Sequence, residues 1–323
     1  MSADSDFAAR RSAEGVVYSN GFDDTNELED GTQEEAYDST IQSALNSDQK
    51  TSGASSLRFK LRAGVTNDTI AGSWVKDLGA GTTFVEGDHV YYQWRQRFDQ
   101  NWITAASTRW NSSTKLTNFH GPNSTCQGSE FTCLGSSYGN DLWPSCYTAC
   151  GNGFETSTSN FNKISSCPGD CLIQQGSVHS HPETTPNSGY NGHYQDQSTG
   201  DGNGEGWLVL EADVWYTFYV HIYLAAYGGS SGNVFEAFIA RDNGPYKQYQ
   251  HCNNWTWSNN LDNNIRVFRL ETYMTELPSQ GQAAQADAYT WYDELIISTQ
   301  PIAAPDSSGA GTTKRGSSLG GLG

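Results

Sequence analysis

Basic residues are scarce in this chain: 18 Lys and Arg stand against 36 Asp and Glu, a formal net charge of −18 over 323 residues. A whole-molecule field of that sign opposes binding to nucleic acid or to an anionic membrane. Charge of either sign is thin, at 17% of residues. Surface polarity therefore falls to Asn, Ser, Thr, Gln and Gly, a composition associated with extracellular and carbohydrate-handling β proteins. No apolar run approaches the roughly 18 residues of a membrane-spanning helix. The first 14 residues carry no apolar stretch of the kind a secretory signal needs, and Arg10-Arg11 lack the apolar segment of a twin-arginine signal. An extracellular, cell-surface or virion location is expected, reached after removal of a signal or by another route such as lysis.

Aromatics are plentiful by contrast, with 10 Trp, 17 Tyr and 13 Phe, and these favour sheets. The stretch Val90–Asp99 shows the pattern most clearly. Val90, Tyr92, Trp94 and Phe98 fall on one face, with Gln96 the exception; Tyr91, Gln93, Arg95, Arg97 and Asp99 fall on the other. Strict alternation of this kind predicts a half-buried strand. Ser55–Arg62, Trp215–Leu224, Asn233–Arg241, Ile265–Met274 and Ala288–Ser298 behave similarly, and Arg241-Asp-Asn-Gly244 reads as a hairpin turn. Helical periodicity is almost absent, so the fold class is an all-β sandwich. Residues 1–14 read as a flexible lead-in, 15–300 as the domain, and 301–323 as a flexible Gly/Ser-rich tail. The acidic stretch Thr25–Thr51 reads as a surface loop.

Cysteine is concentrated. Cys126, Cys133, Cys146, Cys150, Cys167 and Cys171 lie in one window, with Cys252 apart. In an oxidising compartment this is a disulfide framework with one thiol left over. The rival is zinc, although the x3 spacing within Cys146/Cys150 and Cys167/Cys171 departs from the usual x2. Residues from about 126 to 206 lack apolar spacing and read as a long, cysteine-stapled insertion.

Phe22-Asp23, Ser52–Phe59, Glu86–Phe98, Trp215–Ile222 and Ala288–Ser298, taken in that order, resemble a concanavalin A-like jelly roll of the polysaccharide-lyase-like and laminin-G-like superfamily, as found in bacteria and their phages. The resemblance implies two curved antiparallel sheets, one with a concave carbohydrate groove. It also implies two functions on one fold: a lyase cleaving uronic-acid glycans, or a non-catalytic glycan-binding or structural protein of a virion or cell surface. The familiar alginate-lyase motifs are not present.

Elimination from a uronic acid requires a neutraliser for the carboxylate, a base for the C5 proton and an acid for the leaving oxygen. Gln93, Arg95 and Arg97 are the expected neutralisers. Tyr219, His221 and Tyr223, alternating on another strand, are the expected base and acid. Tyr91, Arg97, Arg269, Tyr246, Lys247 and Trp255 complete the expected substrate contacts, the rings as sugar platforms. A glycosidase would need a pair of facing carboxylates; Asp293 and Glu294 are adjacent and so should point to opposite faces of a strand. No cofactor is required for elimination. Sandwiches resembling this one often hold a structural calcium ion where the first and last strands meet, which places Asp23 or Asp24 with Asp293 as its ligands. The expected partner is a polysaccharide.

Overall fold

A computed structural model describes residues 2–35, 41–64, 69–107, 113–122, 130–138, 141–149, 209–225, 232–253, 265–275 and 286–305. The chain runs α1 (Ala3–Arg11), β1 (Val16–Asn20), α2 (Thr25–Glu29), β2 (Thr32–Glu34), β3 (Ser43–Asn46), β4 (Ser56–Leu61), β5 (Thr69–Asp77), β6 (His89–Phe98) and α3 (Gln100–Ser107). It continues with β7 (Ser113–His120), β8 (Glu130–Tyr138), β9 (Asp141–Ala149), β10 (Trp215–Tyr223), β11 (Val234–Arg241), β12 (Lys247–Asn253), β13 (Val267–Thr275) and β14 (Ala288–Ser298). Two antiparallel sheets form. One has eight strands in the order β12-β11-β10-β6-β14-β4-β3, with β1 also paired to β14; the other has six, β2-β5-β13-β7-β8-β9. This is the all-β sandwich that the alternating strands imply, in the jelly-roll form that the resemblance implies.

Period-two patterning puts Val90, Tyr92, Trp94 and Phe98 between the sheets, all fully buried. Trp94 stacks on Phe218 of β10, 4.8 Å between centroids, and Tyr92 meets Phe119 and Phe268 of the other sheet edge-on at 5.7 and 5.5 Å. Such pairs add to the area they bury. Gln96 breaks the apolar run without an unmet polar group. Its amide donates to Thr290 Oγ1 at 3.0 Å, and its carbonyl accepts from Trp94 Nε1 at 3.1 Å. The Tyr292 hydroxyl crosses the core to lie 3.0 Å from the carbonyl of Leu116 and 3.2 Å from that of Glu271.

Three segments differ from expectation. The lead-in contains α1, capped by Ser2, whose hydroxyl accepts from Ser5 N, with Asp4 and Asp6 in its first turn and Arg10 and Arg11 in its last. Within Thr25–Thr51, β2 and β3 join the two sheets. Inside the cysteine-rich window, β8 and β9 form a hairpin that extends the six-stranded sheet. Cys133 and Cys146 face each other there and form a disulfide, 13 residues apart in sequence. Replacing both by alanine is expected to cost about 3 kcal/mol, read as a drop in urea midpoint. A midpoint within error of the parent would show that the hairpin holds itself. Cys126, Cys150, Cys167 and Cys171 lie outside the described residues.

Candidate functional site

Antiparallel register between β6 and β10 sets Tyr223 opposite His89, His221 opposite Tyr91, Tyr219 opposite Gln93, Thr217 opposite Arg95 and Trp215 opposite Arg97. The same residues that alternate away from the core thus make two facing columns on the outer side of the eight-stranded sheet. Glu236 of β11 adds a third column, opposite His221.

One end of this face is a run of parallel rings. Tyr219 and Tyr91 lie 6.2 Å apart, Tyr91 and His221 4.4 Å, His221 and His89 5.2 Å, and His89 and Tyr223 4.3 Å, with interplanar angles from 6° to 16°. Through the run passes a hydrogen-bonded chain. Glu236 Oε2 is 2.9 Å from His221 Nδ1, and His221 Nε2 is 2.9 Å from His89 Nδ1. A carboxylate at Nδ1 assigns the proton of neutral His221 to that nitrogen. Nε2 of His221 then accepts from Nδ1–H of His89, which leaves the lone pair of His89 on Nε2. His89 is exposed. Burial of part of the ring, then the neighbouring His221, lower its pKa, against a smaller opposing effect of Asp88. The chain therefore ends in an accessible imidazole that stays unprotonated. Burial, then Glu236, push the Tyr91 hydroxyl up, so it keeps its proton.

The middle of the face is covered. Gln93 is 0% exposed and Arg95 5%. Arg10 of α1 donates to Gln93 Oε1 and to Glu294 Oε2, and it pairs with Asp6 at 2.9 Å. The Gln93 amide donates to Tyr246 Oη at 2.7 Å and to the carbonyl of Ala303 at 3.0 Å. Arg95 faces Glu294 at 3.8 Å. Asp293 and Glu294 do not point to opposite faces. Glu294 has φ +50, and the register of β14 breaks between Asp293 and Ile296. Both carboxyls consequently meet the Thr51 hydroxyl, at 2.7 and 2.9 Å.

At the far end Arg97 bonds to Asp213 at 2.7 Å and lies 6.0 Å from the Trp291 ring. Arg58 of β4 flanks Trp291 on its other side. The expectation that Arg95 and Arg97 make a patch open to an acidic sugar is thus not met here: each guanidinium faces a carboxylate of the chain itself.

The other expected residues divide. Tyr246 joins the face, stacked 5.4 Å from Tyr219. Lys247 is exposed at the start of the edge strand β12. Arg269 does not join it. It lies on β13 in the six-stranded sheet and bonds to Glu34 at 2.8 Å, because alternation tells inside from outside but not which sheet a strand enters. Trp255 lies outside the described residues. The expected calcium ligands, Asp23 and Asp293, accept backbone N–H groups. Asp23 accepts from Ala54 N, while Asp293 accepts from Thr51 N at 2.7 Å and Glu294 N at 2.8 Å. Among the described residues, no three His, Cys, Asp or Glu side chains gather closely enough to hold an ion. His89 and Glu236 were the members to be added. Starting the strand one residue earlier would have put His89 in the column with Tyr91.

No family model and no curated protein matches the chain. Solved structures do. The alginate lyase Aly36B and an alginate lyase from Chlorella virus are each 11% identical over 88% of this chain, covering 97% and 99% of their own, with TM-scores of 0.46. The marine PL-14 alginate lyase from Aplysia kurodai is 10% identical over 88% of this chain and 99% of its own, with a TM-score of 0.55. The chain is therefore a jelly-roll sandwich of the architecture found in that polysaccharide lyase.

Proposed function

We propose that the outer face of the eight-stranded sheet binds a polysaccharide and that the imidazole pair cleaves it by β-elimination. The observation that carries this is the Glu236–His221–His89 chain, which ends in an exposed imidazole stacked on Tyr223. His89 Nε2 takes the proton α to the uronate carboxyl. The electron pair left on carbon forms the new double bond, the glycosidic C–O bond breaks, and a tyrosine hydroxyl protonates the leaving oxygen. Tyr223, whose ring stacks on His89, takes that last role. His221 is the positioning residue: it passes the influence of Glu236 to His89. The fold shared with the Aplysia alginate lyase supports the substrate class. The disulfide supports an oxidising, extracellular setting.

A specific observation favours a second reading, glycan binding without cleavage. The groups suited to neutralise a carboxylate, Gln93 and Arg95, are covered and engaged. An ultraviolet screen for the new double bond on alginate, glucuronan, heparin and pectate, run beside a glycan array, separates the two. Product on any substrate establishes elimination; binding without product establishes the second reading; neither outcome on any glycan removes both.

If cleavage is found, Glu236→Gln is expected to lower it about tenfold or more, because His221 loses the carboxylate that orients it. Unchanged cleavage would remove Glu236 from the chain of influence.

A further inference from the structure

Helix α1 covers the centre of the proposed site, and its attachment is slight. Phe7 is the one large apolar residue among its nine. That ring packs in a small cluster with Tyr91, Ile296 and Ile302, separate from the main core. The rest of the hold is polar. Asp4 accepts from Gly53 N at 2.8 Å, Arg11 reaches Ser19 at 3.2 Å and Glu27 at 3.3 Å, and Arg10 is sunk onto Gln93 and Glu294. Sinking an ion pair costs solvation of both charges, and the solvation regained on lifting α1 offsets part of the pair's hold, while Arg95 stays beside Glu294. A nine-residue helix is marginal alone in water, so α1 once lifted would unfold. It joins the body at Gly15, where φ is +86 and a Cβ would meet Gln300 Cγ at 2.5 Å, so that only glycine fits. Directly beyond, the chain is fixed, since Thr299 N donates to Gly15 O at 2.8 Å and Val16 is paired with Ser298.

From these contacts we infer that α1 is a displaceable strap, hinged just before Gly15, whose lifting uncovers the middle of the outer face to a glycan and opens the Gln93 carbonyl to a sugar hydroxyl. This rests on the polysaccharide reading for its purpose, but not for its mechanics. In the strapped state Arg10 occupies the Gln93 carbonyl and the Glu294 carboxylate. In the lifted state the row His89, Tyr91 and Gln93 is continuous along β6, and it offers base, platform and an open amide carbonyl, while Tyr246 and Ala303 still hold the Gln93 amide and Glu294 still faces Arg95.

Trypsin tests the mechanics without a ligand, because Arg10 and Arg11 lie inside the strap and Arg10 is 4% exposed. Native protein should be clipped there at a rate that low urea leaves unchanged, while the body stays intact. Phe7→Ala should speed clipping about a hundredfold, with the urea midpoint of the body nearly unmoved. Clipping that rises with urea in step with global unfolding, in both proteins, would overturn the strap. Glycan binding tests the purpose. Alginate oligosaccharide should bind Phe7→Ala about tenfold or more tighter than the parent, since the cost of lifting is already removed. Equal binding to both proteins would overturn the gating. Binding to neither, with free clipping, would remove the polysaccharide reading and leave the strap standing.

Discussion

Replacing His89 by alanine is expected to lower elimination by a factor of about 10² to 10⁴ while glycan binding changes little. The chain of contacts dictates the asymmetry. His89 stands at the exposed end, its ring 4.3 Å from that of Tyr223, and its bare nitrogen is the one a sugar can reach. His221 sits one position inward, with Glu236 on one nitrogen and His89 on the other, both at 2.9 Å. His221→Ala should therefore also lose rate, because His89 loses its acceptor and its orientation, but His221→Gln should recover part of it by restoring an acceptor near that place. No such rescue is expected for His89→Gln, since an amide does not take the proton. Initial rates of double-bond formation, together with dissociation constants for an unreactive oligosaccharide, separate the roles. A His89→Ala protein that still cleaves within threefold of the parent would end the assignment; one that neither binds nor cleaves would point to a platform role for the ring.

Much of this face was legible in the sequence, for physical reasons. A strand with large apolar residues on every second position has one register that buries them, so the alternation of Val90–Phe98 and of Trp215–Leu224 placed both outward columns correctly. Their mutual pairing is a finding of the structure, since alternation does not name a strand's neighbour. The rest was hidden for equally physical reasons. Helix α1 gave no helical stripe, since one phenylalanine and an Asp6–Arg10 pair do the work that a row of leucines does elsewhere. The bulge at Glu294 puts a non-glycine residue at φ +50, a conformation that local sequence disfavours and that surrounding contacts impose. Arg269 alternates like Arg95, yet its strand enters the other sheet. The cover over Gln93 and Arg95 joins residues 10, 93, 246, 294 and 303, and no local pattern links such distant positions.

The same bulge sets up the largest pH effect expected in the molecule. The Thr51 hydroxyl lies within hydrogen-bond distance of Asp293 and of Glu294, and one hydroxyl proton cannot serve both carboxylates. A carboxyl proton would satisfy the second contact. Burial first, and the charge of Glu294 second, push Asp293 up to about 8, so that it holds a proton well above the usual carboxylate range, while Arg10 and Arg95 face Glu294. In the unfolded chain an aspartate ionises near 4. Between those values the folded state holds a proton that the unfolded state has released. Stability is therefore greatest below the unfolded value and falls as pH rises towards about 8, by an amount on the order of several kcal/mol. Asp293→Asn removes this slope. It also replaces an oxygen that accepts the Thr51 N–H, at a cost of about 1–2 kcal/mol. The variant should accordingly be less stable than the parent below about pH 4; the gap should close near about pH 5, and the variant should be the more stable as pH rises towards about 8. Urea midpoints across that range measure it. Parallel profiles for the two proteins would show that the pair carries no extra proton, and the bulge would then be holding two buried negative charges against Arg10 and Arg95 alone.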